Sequence, residues 1–341
     1  MHPALHACKL PGDQVQCLLC PHACILAPGR SGLCGVRRND GGELTSLNYG
    51  KAVAVHVDPI EKKPLYHLYP GSRSLSVAAA GCNFHCRFCQ NHEISQIKGG
   101  SGTVPGRPVT PRQLVDQALA DDCRTISCTY TEPTVFYEYA LEICRLAREQ
   151  GIDTVWVTNG YISEAPLREL APFLTAANVD LKGWNDEFYR SVIGGTLQPV
   201  LDTLRLMKEL GIWVEVTTLI VPGQVDGEDE LREIARFICK ELGAETPWHI
   251  SRFYPQYRFT EVSPTPLAVL QRARQIGLTA GLRYVYTGNV PGEIGENSYC
   301  HRCGALLIGR YGFQIVANNL QAGSCPACGT GMDGLFIKEE M

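Results

Sequence analysis

The spacing of the cysteines constrains this chain more than any other feature of its sequence. The chain has 341 residues and 16 cysteines, and most of the cysteines fall into three clusters. The members are Cys17, Cys20, Cys24 and Cys34 near the N-terminus, Cys82, Cys86 and Cys89 in the middle, and Cys300, Cys303, Cys325 and Cys328 near the C-terminus. We expect a reducing, cytoplasmic location, because there is no apolar leader segment and no run of roughly 20 apolar residues. Clustered cysteines in such a compartment usually bind metal.

Composition narrows the class of protein further. Hydrophobic residues make up 45% of the chain and charged residues 19%, which is typical of a compact globular protein. The formal net charge is −4, and no long run of basic residues occurs. We therefore expect neither nucleic-acid binding nor membrane association.

Between the central and C-terminal clusters, strand-like and helix-like segments alternate. We predict strands over 75–80, 125–130, 154–158, 177–181, 212–221 and 248–253, with a further strand over 283–287. The first long helix begins at Thr110-Pro111, where Thr110 and Gln113 form a capping box. Strands that alternate with helices predict βαβ units and a parallel sheet, so we expect an α/β fold of the partial (β/α)6-barrel type. Functional residues of such barrels lie at the C-terminal ends of the strands.

The same patterns divide the chain into three parts. We predict a cysteine-rich metal-binding module over 1–72, the barrel over 73–292 and a small four-cysteine ribbon over 293–341.

The central cysteines lie in the sequence GCNFHCRFCQN, residues 81–91, directly after the first predicted strand. Three thiolates on one short loop can hold three irons of a [4Fe–4S] cluster, which normally takes four cysteine ligands. The fourth iron is then open, as a catalytic zinc site leaves one position for its substrate. The alternative is a zinc site that His85 or His92 completes.

This spacing after the first strand of a β/α array resembles the radical S-adenosylmethionine (SAM) superfamily. The resemblance implies a [4Fe–4S] cluster whose open iron chelates the methionine end of SAM. It also implies reductive cleavage of SAM to a 5′-deoxyadenosyl radical, which abstracts hydrogen. Phe88 occupies the aromatic position that is common in these loops, where we expect it to shield the cluster from water.

Further motifs narrow the resemblance. The segments CQN, TYTEPT at 129–134, VTNG at 157–160 and DLKG at 180–183 resemble the pyruvate formate-lyase activating enzymes. Four other segments resemble the radical SAM member of the AmmeMemoRadiSam system: CLLCPHAC with GLCGVR, DPIEKKPLYHLYPGS at 58–72, PWHISRFYP at 247–255 and YTGNVPG at 286–292. Genes of that system accompany those of AMMECR-type and Memo-type proteins, so the resemblance implies these partners, together with a flavodoxin- or ferredoxin-like electron donor.

The resemblance implies hydrogen abstraction from a partner-linked or small-molecule substrate that the sequence does not identify. A glycyl-radical enzyme activase is the alternative within the superfamily. Outside it, the competing class is a non-catalytic binding protein built on zinc ribbons.

Roles for individual residues follow from the activating enzymes, where a GGEP-like strand end binds the SAM amino group. Tyr130 and Glu132 stand at that point, with the two glycines replaced. Glu132 either accepts a hydrogen bond from the SAM ammonium or caps the helix that follows. Asn159 either faces SAM or belongs to an ordinary turn. Asp180 and Lys182 match a DLK motif implicated in SAM binding, and the alternative is a buried salt bridge.

Two further sites are predicted near the barrel. We place His249 near the end of the sixth strand as a cofactor-binding candidate, with Arg252 on the opposite face. The pair Lys62-Lys63 is either solvated surface or a contact for an anionic substrate or the edge of the cluster site.

The two terminal cysteine sets predict additional metal sites. CHRCG and CPACG near the C-terminus resemble a zinc-ribbon or rubredoxin-like site, for which we prefer Zn²⁺ over an iron site. The N-terminal set has the spacing C-x2-C-x3-C-x9-C, and His22 lies among its members. Both zinc and a second iron–sulfur cluster fit that spacing, and we prefer zinc.

Overall fold

The computed structural model describes residues 2–97 and 103–336. The first 50 residues form two small antiparallel sheets, in the orders β1-β6-β5 and β2-β3-β4. Their strands are β1 (His2–Pro3), β2 (Ala7–Leu10), β3 (Gln14–Cys17), β4 (Ile25–Leu26), β5 (Arg37–Asp40) and β6 (Glu43–Ser46). A buried ion pair joins this region to the barrel, because Arg37 Nη1 lies 2.8 Å from Glu138 Oε1.

The main sheet has nine strands in the order β15-β14-β13-β12-β11-β10-β8-β7-β9. They are β7 (Lys51–Pro59), β8 (Arg73–Ala79), β9 (Arg107–Pro108), β10 (Thr125–Cys128), β11 (Asp153–Thr158), β12 (Ala176–Asp180), β13 (Trp213–Ile220), β14 (Trp248–Arg252) and β15 (Val285–Gly288). β8 and β10–β15 are parallel, whereas β7 and β9 are antiparallel additions at one edge. The six predicted strands and the seventh are confirmed, with ends that differ by one or two residues.

Helices connect the parallel strands. They are α1 (His92–Ser95), α2 (Pro111–Ala120), α3 (Tyr137–Glu149), α4 (Glu164–Leu170), α5 (Asp186–Phe188), α6 (Gln198–Glu209), α7 (Glu228–Phe237) and α8 (Leu267–Thr279). The capping box that starts α2 is confirmed: Gln113 N donates to Thr110 Oγ1 at 3.2 Å, and Thr110 N donates to Gln113 Oε1 at 2.8 Å. None of the helices within the described residues is long and apolar enough to cross a bilayer.

The order of the strands confirms the barrel-type α/β fold. Successive parallel strands are neighbours, and crossovers between parallel strands are right-handed, so the helices cover one face of the sheet. The other face carries buried or half-buried polar side chains at alternate positions of three strands: Ser74 and Ser76, Glu215 and Thr217, and His249 and Ser251. The partial barrel therefore has a polar interior in which ligands can bind.

The C-terminal module is a three-stranded antiparallel sheet of β16 (Ser298–Tyr299), β17 (Leu306–Tyr311) and β18 (Gln314–Asn318). It packs on the segment that links β7 and β8. Arg310 Nη2 donates to Tyr66 O at 3.1 Å, and its guanidinium lies 4.0 Å from the centroid of the Tyr66 ring. The predicted module boundaries stay predictions, but hydrogen bonding joins β7, which we assigned to the N-terminal module, to the barrel sheet.

Candidate active site

A tight loop after β8 carries the three central cysteines, and contacts from across the barrel hold it in place. His85 N donates to Ile193 O at 2.8 Å, and Arg87 N donates to Val192 O at 3.0 Å. Both acceptors belong to a single π-helical turn, Tyr189–Ile193. Gly195 follows that turn, and a Cβ there would overlap the buried ring of Phe84. The loop conformation thus depends on residues more than 100 positions further along the chain.

The three thiols line one cavity of about 430 Å³. Hydrogen-bond donors lie beside two of them. Phe84 N lies 3.3 Å and Asn159 Nδ2 lies 3.7 Å from Cys82 Sγ, and the Ser95 hydroxyl lies 3.2 Å from Cys89 Sγ. Burial raises the pKa of Cys86 to about 12, while the nearby Lys182 acts in the opposite direction. Buried thiols with donors beside them are suited to bind a cationic metal group as thiolates.

The arrangement argues against the zinc alternative for the central loop. Within the part of the chain that the structure describes, neither His85 nor His92 lines the cavity of the three thiols. His85 Nδ1 instead lies 2.8 Å from Gln96 Oε1, and the His92 ring stacks on Tyr257 with centroids 4.4 Å apart. The residues present therefore fit a cluster with three protein ligands and one open iron better than a single tetrahedral ion.

Glu132 reaches the cavity, and its carboxylate is already bound by the protein. Oε1 accepts from Thr134 N at 3.0 Å, from Thr134 Oγ1 at 2.7 Å and from Thr158 Oγ1 at 2.7 Å. Oε2 accepts from Asn159 N at 2.8 Å. Burial raises the pKa of Glu132, although these donors stabilise its charged form. The carboxylate caps the 3₁₀ turn Pro133–Phe136, and only Oε2 keeps capacity for a ligand.

Asn159, Asp180 and Lys182 also line the cavity. Asn159 Oδ1 accepts from Tyr161 N at 2.9 Å, as in a local turn, while its amide group faces Cys82 and Asn83. Lys182 Nζ lies 2.8 Å from Asp180 Oδ2, so the salt bridge is present. Burial opposes the charge of Lys182, but Asp180 and Cys86 outweigh it and raise the lysine pKa. SAM binding by these residues stays a prediction.

Tyr130 and the basic pair meet at the rim of the cavity. The Tyr130 hydroxyl donates to Asp58, and Lys63 Nζ lies 2.7 Å from Asp58 Oδ2. Lys63 is 1% exposed, so the surface alternative is wrong for this lysine. Burial lowers the pKa of Lys63 to about 8, with Asp58 acting in the opposite direction. Lys62 is more exposed and also lines the cavity, and its Nζ lies 2.9 Å from Asp58 Oδ1, so both lysines pair with the same carboxylate.

Phe88 is buried at the floor of the cavity. Its ring lies within 6.2 to 6.4 Å, centroid to centroid, of Phe188, Phe253 and Phe259. This aromatic cluster is consistent with the predicted role of Phe88 in keeping water from the cysteine loop.

His249 differs from the expectation. It is the second residue of β14, so the prediction that it lies near the strand's C-terminal end is wrong. Its ring faces a second cavity of about 400 Å³ and not the cavity of the three thiols. His249 Nε2 lies 2.6 Å from Glu215 Oε2. Burial opposes the ionisation of Glu215, but His249 and the backbone N–H of His67 lower the pKa of the carboxyl.

The two cavities adjoin, and residues that the sequence analysis did not identify line both of them. These residues are Gln90, Thr217, Ser251, Asn289 and Phe313. Thr217 and Ser251 had a usable signal, since each is a polar residue inside a buried strand on the same face as Glu215 and His249. Phe313 had none, because it lies in the turn between β17 and β18 and reaches the barrel only through the docking of that module.

The C-terminal cysteines form a compact site. Cys300 Sγ and Cys328 Sγ lie 3.6 Å apart, as do Cys303 Sγ and Cys325 Sγ, and all four sulfurs lie within 4.8 Å of one another. Four such thiolates can hold one tetrahedral ion, and the site fits the predicted ribbon-like module. The N-terminal cysteines instead surround a separate, small cavity.

Comparisons with known proteins show which family this chain resembles. The profile of the radical SAM superfamily matches residues 77–238. An uncharacterized protein of Methanocaldococcus jannaschii is 47% identical over 335 residues, which is 98% of this chain and 99% of that protein. The pyruvate formate-lyase-activating enzyme of Clostridium pasteurianum is 26% identical over 175 residues, covering 50% of this chain and 70% of that enzyme.

A solved structure agrees in fold. The crystal structure of a radical SAM methyltransferase from Sphaerobacter thermophilus superposes with a TM-score of 0.51 at 19% identity, covering 67% of this chain and 71% of that chain. The comparisons confirm the predicted superfamily and the relationship to activating enzymes. The narrower resemblance to the AmmeMemoRadiSam system stays a prediction.

Proposed function

Because this chain belongs to the radical SAM superfamily, we propose that Cys82, Cys86 and Cys89 hold a [4Fe–4S] cluster beside bound SAM. When both are bound and the cluster is reduced, they supply a 5′-deoxyadenosyl radical that abstracts a hydrogen atom from the substrate. The observation that carries the proposal is the cavity lined by three thiols, with no fourth cysteine and no histidine among the described residues that line it. Family membership supports an enzyme, and the hydrogen-abstraction chemistry is our inference.

The chain's own residues would hold and tune this centre. Phe84 N–H, the Asn159 amide and the Ser95 hydroxyl donate to thiolate sulfurs, which stabilises the reduced, more negative cluster. The charge of Lys182 acts on Cys86 in the same sense. Glu132 Oε2 is the oxygen that remains able to accept a hydrogen bond from the SAM ammonium.

We place the substrate in the second cavity. It joins the thiol-lined cavity through the five shared residues, so a bound molecule would lie next to the site where the radical forms. Glu296, Gly312 and Phe313 of the C-terminal module line this cavity, which favours a small molecule or a slender partner-linked group over a large protein loop.

Anaerobic reconstitution followed by measurement of 5′-deoxyadenosine tests the proposal. We expect wild-type protein with iron, sulfide, SAM and a low-potential reductant to form 5′-deoxyadenosine, and the Cys86→Ala variant to form none. Cys239→Ala is the matched control, because Cys239 lies outside the three clusters and should leave the activity intact. A protein with iron bound at the central loop that never cleaves SAM would overturn the proposal.

The partners are a separate part of the proposal. We propose a flavodoxin- or ferredoxin-like electron donor, and AMMECR-type and Memo-type proteins that act with this enzyme. The support is the set of motifs that resemble the AmmeMemoRadiSam system. Incubating the reconstituted enzyme with SAM, reductant and the two partner proteins, and then identifying the products by mass spectrometry, tests the assignment. Products that do not depend on either protein would contradict it.

Activation of a glycyl-radical enzyme is the second candidate, favoured by the similarity to a pyruvate formate-lyase-activating enzyme. In that case a glycyl-radical electron paramagnetic resonance signal would form on a supplied glycyl-radical enzyme. We expect no such signal, because residues of the C-terminal module line the second cavity, where the loop of a glycyl-radical enzyme would have to bind.

A further inference from the structure

The N-terminal cysteines meet around one enclosed space. Cys17 ends β3, Cys20 and Cys24 lie in the connection to β4, and Cys34 lies in the loop before β5. All four line the same small cavity.

The geometry of this cavity differs from that of the C-terminal site. A tetrahedral Zn²⁺ with bonds of about 2.3 Å requires its four sulfurs to lie about 3.8 Å apart. The C-terminal thiols approach that arrangement, with pairs at 3.6 Å. Among the described residues, only that C-terminal set brings three or more ligand atoms within 4.8 Å of one another. No three of the N-terminal sulfurs therefore lie within 4.8 Å of one another, which is a wider arrangement than one tetrahedral ion requires.

A buried arginine supplies a second observation. Arg37 lines the cavity and is 2% exposed. Its Nη1 donates to both oxygens of Glu138, at 2.8 and 3.0 Å, and its Nη2 donates to Leu5 O at 2.5 Å. Its Nε is buried and has no hydrogen-bond partner among the described residues. A buried donor without an acceptor is costly, so Arg37 Nε calls for an acceptor that a bound group would provide.

We propose that this cavity binds a second [4Fe–4S] cluster through Cys17, Cys20, Cys24 and Cys34, with Arg37 Nε donating to one of its sulfurs. Four thiolates ligate all four irons, so this cluster has no open iron and cannot chelate SAM. A closed iron–sulfur cluster transfers electrons. This assignment replaces our preference for zinc at the N-terminal site.

The position of the cavity gives the second cluster a role, which rests on the proposed function of the central loop. Asn83 lines the N-terminal cavity and is the chain neighbour of Cys82. Its Oδ1 accepts from Asn159 Nδ2 at 2.8 Å, and the same amide lies 3.7 Å from Cys82 Sγ. His22, which also lines the N-terminal cavity, has its Nε2 2.8 Å from Asn83 O. One residue thus bridges the two cavities.

The electron path follows from this contact. A low-potential donor of the ferredoxin or flavodoxin type loses one electron, and the N-terminal cluster gains it. The N-terminal cluster is reoxidised when it passes that electron to the central cluster, so donor and central cluster exchange one electron overall. No bond forms or breaks in this step.

The test uses full-length protein with Cys82→Ala, Cys86→Ala and Cys89→Ala combined, reconstituted anaerobically. Iron, acid-labile sulfide and zinc are counted, and Mössbauer and electron paramagnetic resonance spectra are recorded. We expect about four irons and four sulfides per chain to remain, against about eight of each in the wild type. Adding Cys20→Ala should remove them, whereas adding Cys303→Ala should leave the sulfide unchanged. Iron without sulfide would indicate a rubredoxin-like C-terminal site only.

Besides iron without sulfide, two outcomes would overturn the proposal. One is a triple variant with no sulfide and about two zinc ions per chain. The other applies if the triple variant does not fold: a wild-type protein whose Mössbauer spectrum accounts for only about four clustered irons. Failure of SAM cleavage in a wild type with about eight irons would instead contradict the function of the central loop and leave the second cluster standing.

Discussion

Replacing Glu132 with glutamine separates the capping role of this residue from its predicted role in SAM binding. The carboxylate accepts hydrogen bonds from two backbone N–H groups. Thr134 N donates to Oε1 at 3.0 Å, and Asn159 N donates to Oε2 at 2.8 Å. A glutamine amide has only one acceptor oxygen. Whichever way the amide turns, one of the two buried backbone donors faces an NH₂ group and loses its partner.

The magnitude follows from that lost partner. An unsatisfied buried donor costs about 1–3 kcal/mol, and removal of a buried charge offsets part of it. We therefore expect the Glu132→Gln variant to lose about 2 kcal/mol of unfolding free energy. An unfolding entropy of about 2.1 cal/mol/K per residue gives about 0.7 kcal/mol/K for 341 residues, so the melting temperature should fall by about 3 °C.

Anaerobic differential scanning calorimetry of the reconstituted proteins, with SAM affinity measured by equilibrium dialysis, is the assay. Glu187→Gln is the matched control, because Glu187 is exposed and the same substitution there should leave the melting temperature unchanged. If the Glu132→Gln variant has the same melting temperature as the Glu187→Gln control, the capping argument is refuted. Loss of SAM binding without any change in melting temperature would assign Glu132 to the ligand alone.

Three further predictions concern other parts of the site. Burial lowers the pKa of His67 to about 4, so the stability from its neutral ring is present above pH ~6.5 and is lost as the pH falls toward 4. This loss amounts to about 3 kcal/mol, and His67→Gln should show a correspondingly shallower fall in melting temperature over that range. Asn159→Ala removes an N–H donor from a thiolate, so redox titration should find a more negative potential for the central cluster. Gly195→Ala overlaps the Phe84 ring and should cost about 1–3 kcal/mol and lower the iron bound at the central loop, whereas Gly227→Ala, with open space around it, should retain full iron.

Local features of the chain could be predicted from the sequence, because short-range interactions determine them. The capping box at Thr110 needs only residues three apart, and the alternation of strands and helices depends on hydrophobic periodicity within each segment. The C-x3-C-x2-C loop is equally local, since its cysteines lie within eight consecutive residues. For this reason, the barrel fold and the superfamily followed from the sequence.

Features that depend on long-range packing were misjudged or missed. Lys62 and Lys63 both pair with Asp58, yet only Lys63 is buried, and the ring of Tyr130, a residue 67 positions away, lies 4.5 Å from its Nζ. His249 bonds to Glu215 inside the barrel because β13 and β14 pair in a register that places the two side chains together. No pattern in the segment around either residue contains this information.

The two terminal cysteine sets show which properties of a metal site the sequence determines and which depend on the tertiary structure. The sequence by itself determined that each set supplies four thiols and that the central set supplies three, because ligand type and number are properties of the residues. Only the tertiary structure decided how far apart the thiols lie. In the C-terminal set, pairs of sulfurs lie 3.6 Å apart, whereas the N-terminal thiols lie farther apart around a cavity that Arg37 also lines. The buried pair of Arg37 and Glu138 packs this cysteine set against the barrel, and because the two residues lie about 100 positions apart, cysteine spacing alone contains no information about that contact.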